Sequence, residues 1–67
     1  MPKLPILSGE EVVKMLVKQK GYRVRAMRGS HINLVHDSLP PVTVPAHKEL
    51  RLGTLRHILK ITGIKIE

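Results

Sequence analysis

Residues 21–36 read Gly21-Tyr22-Arg23-Val24-Arg25-Ala26-Met27-Arg28-Gly29-Ser30-His31-Ile32-Asn33-Leu34-Val35-His36, and the period of this stretch decides the fold. Tyr22, Val24 and Ala26 alternate with Arg23, Arg25 and Met27. Beyond Arg28-Gly29-Ser30, Ile32 and Leu34 alternate with His31, Asn33 and Val35. A period of two belongs to strands with one buried face, and a Gly-containing break between two such runs predicts an antiparallel hairpin. Taking Arg28, Gly29 and Ser30 as a three-residue loop sets the register. Val24 then meets Leu34 and Ala26 meets Ile32 on a covered, apolar face. The open face pairs Met27 with His31, Arg25 with Asn33 and Arg23 with Val35. Residues opposite one another share a face, and a slip by one residue would exchange the faces.

Upstream the period is helical. Val12, Val13, Leu16 and Val17 fall at helical spacing, with Lys14 and Lys18 opposite. Ser8-Gly9-Glu10-Glu11 has the Ser and Glu spacing of a capping box, and Gly21 suits the left-handed residue that ends a helix. A helix is expected from about Gly9 to Lys20, after a Pro-containing, extended lead-in over residues 1–7. Downstream, Asp37-Ser38-Leu39-Pro40-Pro41 is rich in turn formers. Val42-Thr43-Val44 reads as a short third strand that Pro45 ends or holds to an edge. Leu52, Leu55, Ile58 and Leu59 form the stripe of a second helix, with Gly63 as its stop and Ile64 folding back onto the last turn. The expected class is α+β: an α-β-β-β-α order in which two helices cover one face of a three-stranded antiparallel sheet.

The chain has 67 residues, the size of one small domain spanning 1–67, and so short a chain buries only about 60% of its extended surface. It has no cysteine, so disulfides, thiolate metal sites and a cysteine nucleophile are excluded. No apolar run nears the ~18 residues of a membrane span, and Met1-Pro2-Lys3-Leu4-Pro5 lacks a signal-peptide core. A soluble, cytoplasmic protein is expected. Twelve Lys and Arg against five Asp and Glu give a net charge of +7, a field that attracts polyanions, nucleic acid first and an anionic membrane surface second. Residues 21–36 alone hold Arg23, Arg25, Arg28, His31 and His36 and no acid. The one aromatic residue, Tyr22, argues against a protein that stacks single-stranded bases on several rings.

Histidine is the evident candidate for chemistry. His57 sits between Arg56 and Ile58 on the second helix and reads as an exposed helix residue; His36 ends a strand at a turn and reads as structural. His47 follows Val44-Pro45-Ala46 in a connection and is ambiguous. His31 follows the Gly-Ser turn beside basic residues and has the best geometry. No pair has metal-site spacing, and five carboxylates are few for a hard-cation site. Ser30 is discounted as a nucleophile, because neighbours in a strand point to opposite faces and no carboxylate is in view to orient the imidazole.

Three segments together resemble the HicA (YcfA-like) toxin family. Gly29-Ser30-His31 after a basic first strand is similar to its Gly-Ser-His motif, and Val44-Pro45-Ala46-His47 to its Val-Pro-x-His segment. Gly53-Thr54-Leu55-Arg56-His57-Ile58-Leu59-Lys60, with Gly63-Ile64, resembles its final helix, and Lys48-Glu49-Leu50 its lead-in. The resemblance runs from the capping box to Ile64. Ile32 stands where the family often has a polar residue or a second histidine, and the tail after Gly63 is short. The resemblance implies a fold similar to the double-stranded-RNA-binding domain and an mRNA interferase, a toxin that cleaves mRNA. It also implies a HicB-like antitoxin that masks the active site. By the same resemblance the motif histidine, here His31, is catalytic.

That activity suits these residues. RNA carries its own nucleophile, the 2′-hydroxyl, so an enzyme needs proton transfer and charge stabilisation, and no cofactor or metal is called for. An ordinary imidazole, with a pKa of about 6.5, accepts or donates near neutral pH. Arg23, Arg25, Arg28 and Lys48 are expected to hold phosphates, the Gly29-Ser30 backbone to approach one closely, and His47 to stand as an auxiliary group. The alternatives are a non-catalytic RNA-binding module of the same fold, which would read shape through phosphate and 2′-hydroxyl contacts, and a basic protein that binds an acidic protein surface.

Overall fold

The computed structural model describes residues 5–66; of the extended lead-in expected over residues 1–7, residues 1–4 lie outside it. The elements are α1 (Gly9–Lys20), β1 (Arg23–Arg28), β2 (His31–Val35), β3 (Val42–Pro45) and α2 (Leu52–Thr62). The sheet is antiparallel in the order β1-β2-β3, so the expected α+β architecture is the one observed.

The start of α1 and the C-terminal ends of both helices are set by local chemistry. Ser8 Oγ accepts from the Glu11 N–H and Glu11 Oε1 accepts from the Ser8 N–H, each at 3.1 Å: the capping box is complete. Gly21 closes α1 at φ 76°, and Gly63 closes α2 at φ 75° with its N–H on the Leu59 carbonyl. Ile64 then turns back and is buried, as the last-turn reading requires. Gln19 fastens this end to α1 by exchanging two 2.8 Å bonds with the Lys65 backbone.

The core lies between the helices and the inner face of β2 and β3. Val12 and Leu16 of α1, Leu55 and Ile58 of α2, and Ile32, Leu34, Val42 and Val44 of the sheet form one buried cluster with Tyr22, Leu50 and Ile64. The Tyr22 hydroxyl donates to the Pro40 carbonyl at 2.8 Å, and burial pushes its pKa above the ordinary 10.0. No β1 residue joins this cluster. Two stripe residues stay out as well: Leu52 is 48% exposed and Val17 44%.

The first hairpin departs from the expected register. Arg23 meets Val35 and Val24 meets Leu34, as expected, but Ala26 meets Asn33, Met27 meets Ile32 and Arg28 meets His31. The loop is the two residues Gly29-Ser30, with Gly29 at φ 57° and no positive φ at Ser30, as a type II′ turn demands of its first central residue. The tighter turn leaves one residue over, and a bulge between Val24 and Ala26 takes it up. Ala26 therefore moves to the open face. The inner side of β1 is left largely bare, with Val24 53% and Met27 62% exposed, because the helices cover β2 and β3 instead.

Candidate nucleic-acid interface

Two sequence motifs meet at one corner of the open face. His31 begins β2, directly opposite Arg28 on one side and Pro45 on the other. Just beyond Pro45, the Ala46 N–H donates to the Ser30 carbonyl and the His47 carbonyl accepts from the Gly9 N–H at 2.9 Å. Gly29-Ser30-His31 and Pro45-Ala46-His47 thus lie side by side, the second strapped to the first residue of α1. That strap requires glycine: a Cβ on Gly9 would stand 2.0 Å from the Pro45 carbonyl oxygen. His31 and His47 are both exposed, and neither imidazole has a hydrogen-bond partner among the described residues.

The open face carries Arg23, Arg25 and Arg28. No strand contains an acid. Arg25, Arg28, Ala26, Asn33, Pro41 and Thr43 help to line a shallow depression of about 330 Å³. The bulge sets Arg25 beside Ala26 opposite Asn33, and the small Ala26 side chain leaves the hollow open. Thr43 Oγ1 donates to Asn33 Oδ1 at 2.9 Å across β2 and β3. Of the predicted phosphate-holding residues, Arg28 stands beside His31 and Arg25 lines the depression. Lys48 is exposed in the bend just after His47. Arg23 lies apart, about 16 Å along the strand from Arg28, and its Nη2 is 3.0 Å from Asp37 Oδ1 in an exposed pair. The Asn33–Thr43 pair carries no sequence motif; the outward alternation of β2 was its one signal.

The remaining histidines are accounted for. His36 Nδ1 accepts from the Ser38 and Leu39 N–H groups at 3.0 Å each, which makes Nε2 the donor to the Lys20 carbonyl at 2.6 Å. Its ring also leans on Tyr22, with centroids 4.9 Å apart. His36 is a structural clasp, as its position at the turn suggested, and His57 is exposed on α2. Among the described residues no three His, Cys, Asp or Glu side chains gather as metal ligands would. Nor is any helix there long and apolar enough to cross a membrane.

Fold and site together define a class: small, strongly basic α-β-β-β-α proteins that present an exposed histidine and arginines on a sheet face whose strands hold no acid. The family described as "HicA toxin of bacterial toxin-antitoxin" matches residues 9–64, a stretch that takes in all five elements. The chain belongs to this HicA toxin family. It is accordingly the toxin of a toxin–antitoxin system, and an antitoxin protein is its implied partner. No curated protein and no solved structure matches it.

Proposed function

We propose that this toxin is a metal-independent endoribonuclease that cleaves mRNA, with His31 as its catalytic acid–base residue. The observation that supports it most directly is the meeting of Gly29-Ser30-His31 with Pro45-Ala46-His47 at one corner of the open face. RNA's 2′-hydroxyl attacks the neighbouring phosphorus, and the 5′ oxygen leaves. One group takes the 2′ proton and another protonates the leaving oxygen. His31 is open to a strand arriving from solvent and, among the described residues, has no internal bond to break first. Arg28 opposite it counters the charge that builds on the phosphorane. His47, on the adjoining segment, is the second proton-transfer group. Arg25 and Lys48 hold flanking phosphates and the Gly29-Ser30 turn lets the backbone come close; Arg23 must leave Asp37 to take part.

The test is cleavage of a labelled mRNA in EDTA by the native protein and by His31→Ala. Native protein should cut, and the variant should be slower by about 10²- to 10⁴-fold, the usual weight of a general acid or base. Equal cutting by both would overturn the assignment of His31. Binding by both with cutting by neither, and a steep loss of affinity with salt, would reduce the protein to an RNA-binding module.

A further inference from the structure

We infer that the depression on the open face is a nucleobase site that selects guanine, with Asn33 and Arg25 as its reading residues. Its place in an RNA strand rests on the ribonuclease reading above. Asn33 and His31 both point outward from β2, two residues and so about 7 Å apart. That is within the reach of one nucleotide in an extended strand, so a phosphate at His31 puts the next base over the depression.

The hydrogen-bonding pattern of the hollow is one-sided. An asparagine ordinarily reads adenine by donating to N7 and accepting from N6. Here the acceptor is turned away: Asn33 Oδ1 faces β3 and receives the Thr43 hydroxyl at 2.9 Å. What Asn33 still offers is its Nδ2 amide, whose two hydrogens have no partner among the described residues. The bulge adds the Arg25 guanidinium on the same side, and Arg28 stands at the end nearer His31. Among the described residues, neither arginine makes an ion pair. The free donors of the hollow, the Asn33 amide and two guanidiniums, outnumber its acceptor, the Thr43 oxygen, so it favours a base edge made of acceptors. Guanine offers O6 and N7 together and uracil O4 alone, whereas adenine and cytosine each present an amino group that would meet donor against donor. Ala26 and Pro41 provide an apolar rest for the ring.

The test needs no cleavage. Four-nucleotide 2′-O-methyl RNAs, which lack the attacking hydroxyl, would carry a single G, A or C among uridines and be titrated into the isotope-labelled protein. Asn33 is the one asparagine and Gln19 the one glutamine, so the side-chain amide signals are few and assignable. The guanine oligomer should bind about fivefold or more tightly than the adenine and cytosine oligomers and should move the Asn33 side-chain amide. Asn33→Ala, which leaves Arg25 alone to read the base, should keep a smaller guanine margin than the native protein. Thr43→Val, which frees the Asn33 amide to turn over, should erase the margin of guanine over adenine. Equal binding of all three by the native protein, or an intact guanine preference in Asn33→Ala, would overturn the inference. Cleavage in EDTA alongside indifferent binding would sink this site and spare the ribonuclease. Guanine preference without cleavage would do the reverse.

Discussion

Replacing Gly9 by alanine should destabilise the fold, although alanine is the better helix former. Gly9 is the first residue of α1, and its N–H is bound to the His47 carbonyl at 2.9 Å. An added Cβ would lie 2.0 Å from the Pro45 carbonyl oxygen, 3.0 Å from its carbon and 3.1 Å from the Ala46 Cα. All three are backbone atoms that no side-chain rotation can move aside. Overpacking of this kind costs roughly 1–3 kcal/mol, and the strained hydrogen bond adds up to about 1 kcal/mol. The gain in helix propensity offsets at most about 1 kcal/mol, and less at a helix end. The balance is a loss of about 2 kcal/mol, or a melting temperature lower by about 10 °C in a domain of this size. Urea unfolding should show a lower midpoint at unchanged slope. Gly53, in the first turn of α2, supplies the control. Nothing lies within 4 Å of its added Cβ and its φ is ordinary, so Gly53→Ala should stabilise by about 0.5 kcal/mol. If Gly9→Ala proved as stable as the native protein, the close packing of α1 on the Pro45-Ala46 strap would be refuted.

Three further outcomes are expected. Ser8→Ala should cost about 1 kcal/mol in urea unfolding through loss of the capping box. His36→Ala should cost about 2 kcal/mol, since three backbone partners lose their hydrogen bonds at once; RNA cleavage per folded molecule should be unchanged, and a fall there would mean that the wrong histidine was given the chemistry. Tyr22 should titrate, by its tyrosinate absorbance, above 10.0 in the native protein and near 10 in denaturant. Burial penalises the phenolate, so above pH ~10 the native state holds a proton that the unfolded state has released. The stability tied to that proton is full below the unfolded pKa and is lost as pH rises through the folded one. A native midpoint at or below that of the denatured chain would contradict the burial of Tyr22.

The caps were legible because each is a local code: Ser8 with Glu11, and the glycines at 21 and 63, specify their ends without help from the rest of the chain. The alternation of β2 was equally plain, since its inner residues face two helices. The bulge in β1 was not. Val24, Ala26 and Met27 are all compatible with either face, and no helix lies over β1 to penalise the wrong choice. The decision falls instead to Gly29, whose positive φ permits a two-residue turn and displaces the surplus residue to Arg25. At the candidate site, His31 on the open face by the turn was readable from the hairpin alone, whereas its neighbour Arg28 depended on that turn. The contact of Ser30 with Ala46 and the pairing of Asn33 with Thr43 depend on how β3 returns along β2 after the turn at residues 36–41. Such non-local pairings leave no pattern in either segment read singly.

The bare side of β1 has a consequence of its own. A free edge strand with exposed Val24 and Met27 would ordinarily invite a second copy of the chain to extend the sheet. Here that strand also bears Arg23, Arg25 and Arg28. Two copies aligned edge to edge would press like charges together along the whole seam. The same positive charge therefore acts as a guard against self-association, so a variant stripped of these arginines is expected to associate edge to edge.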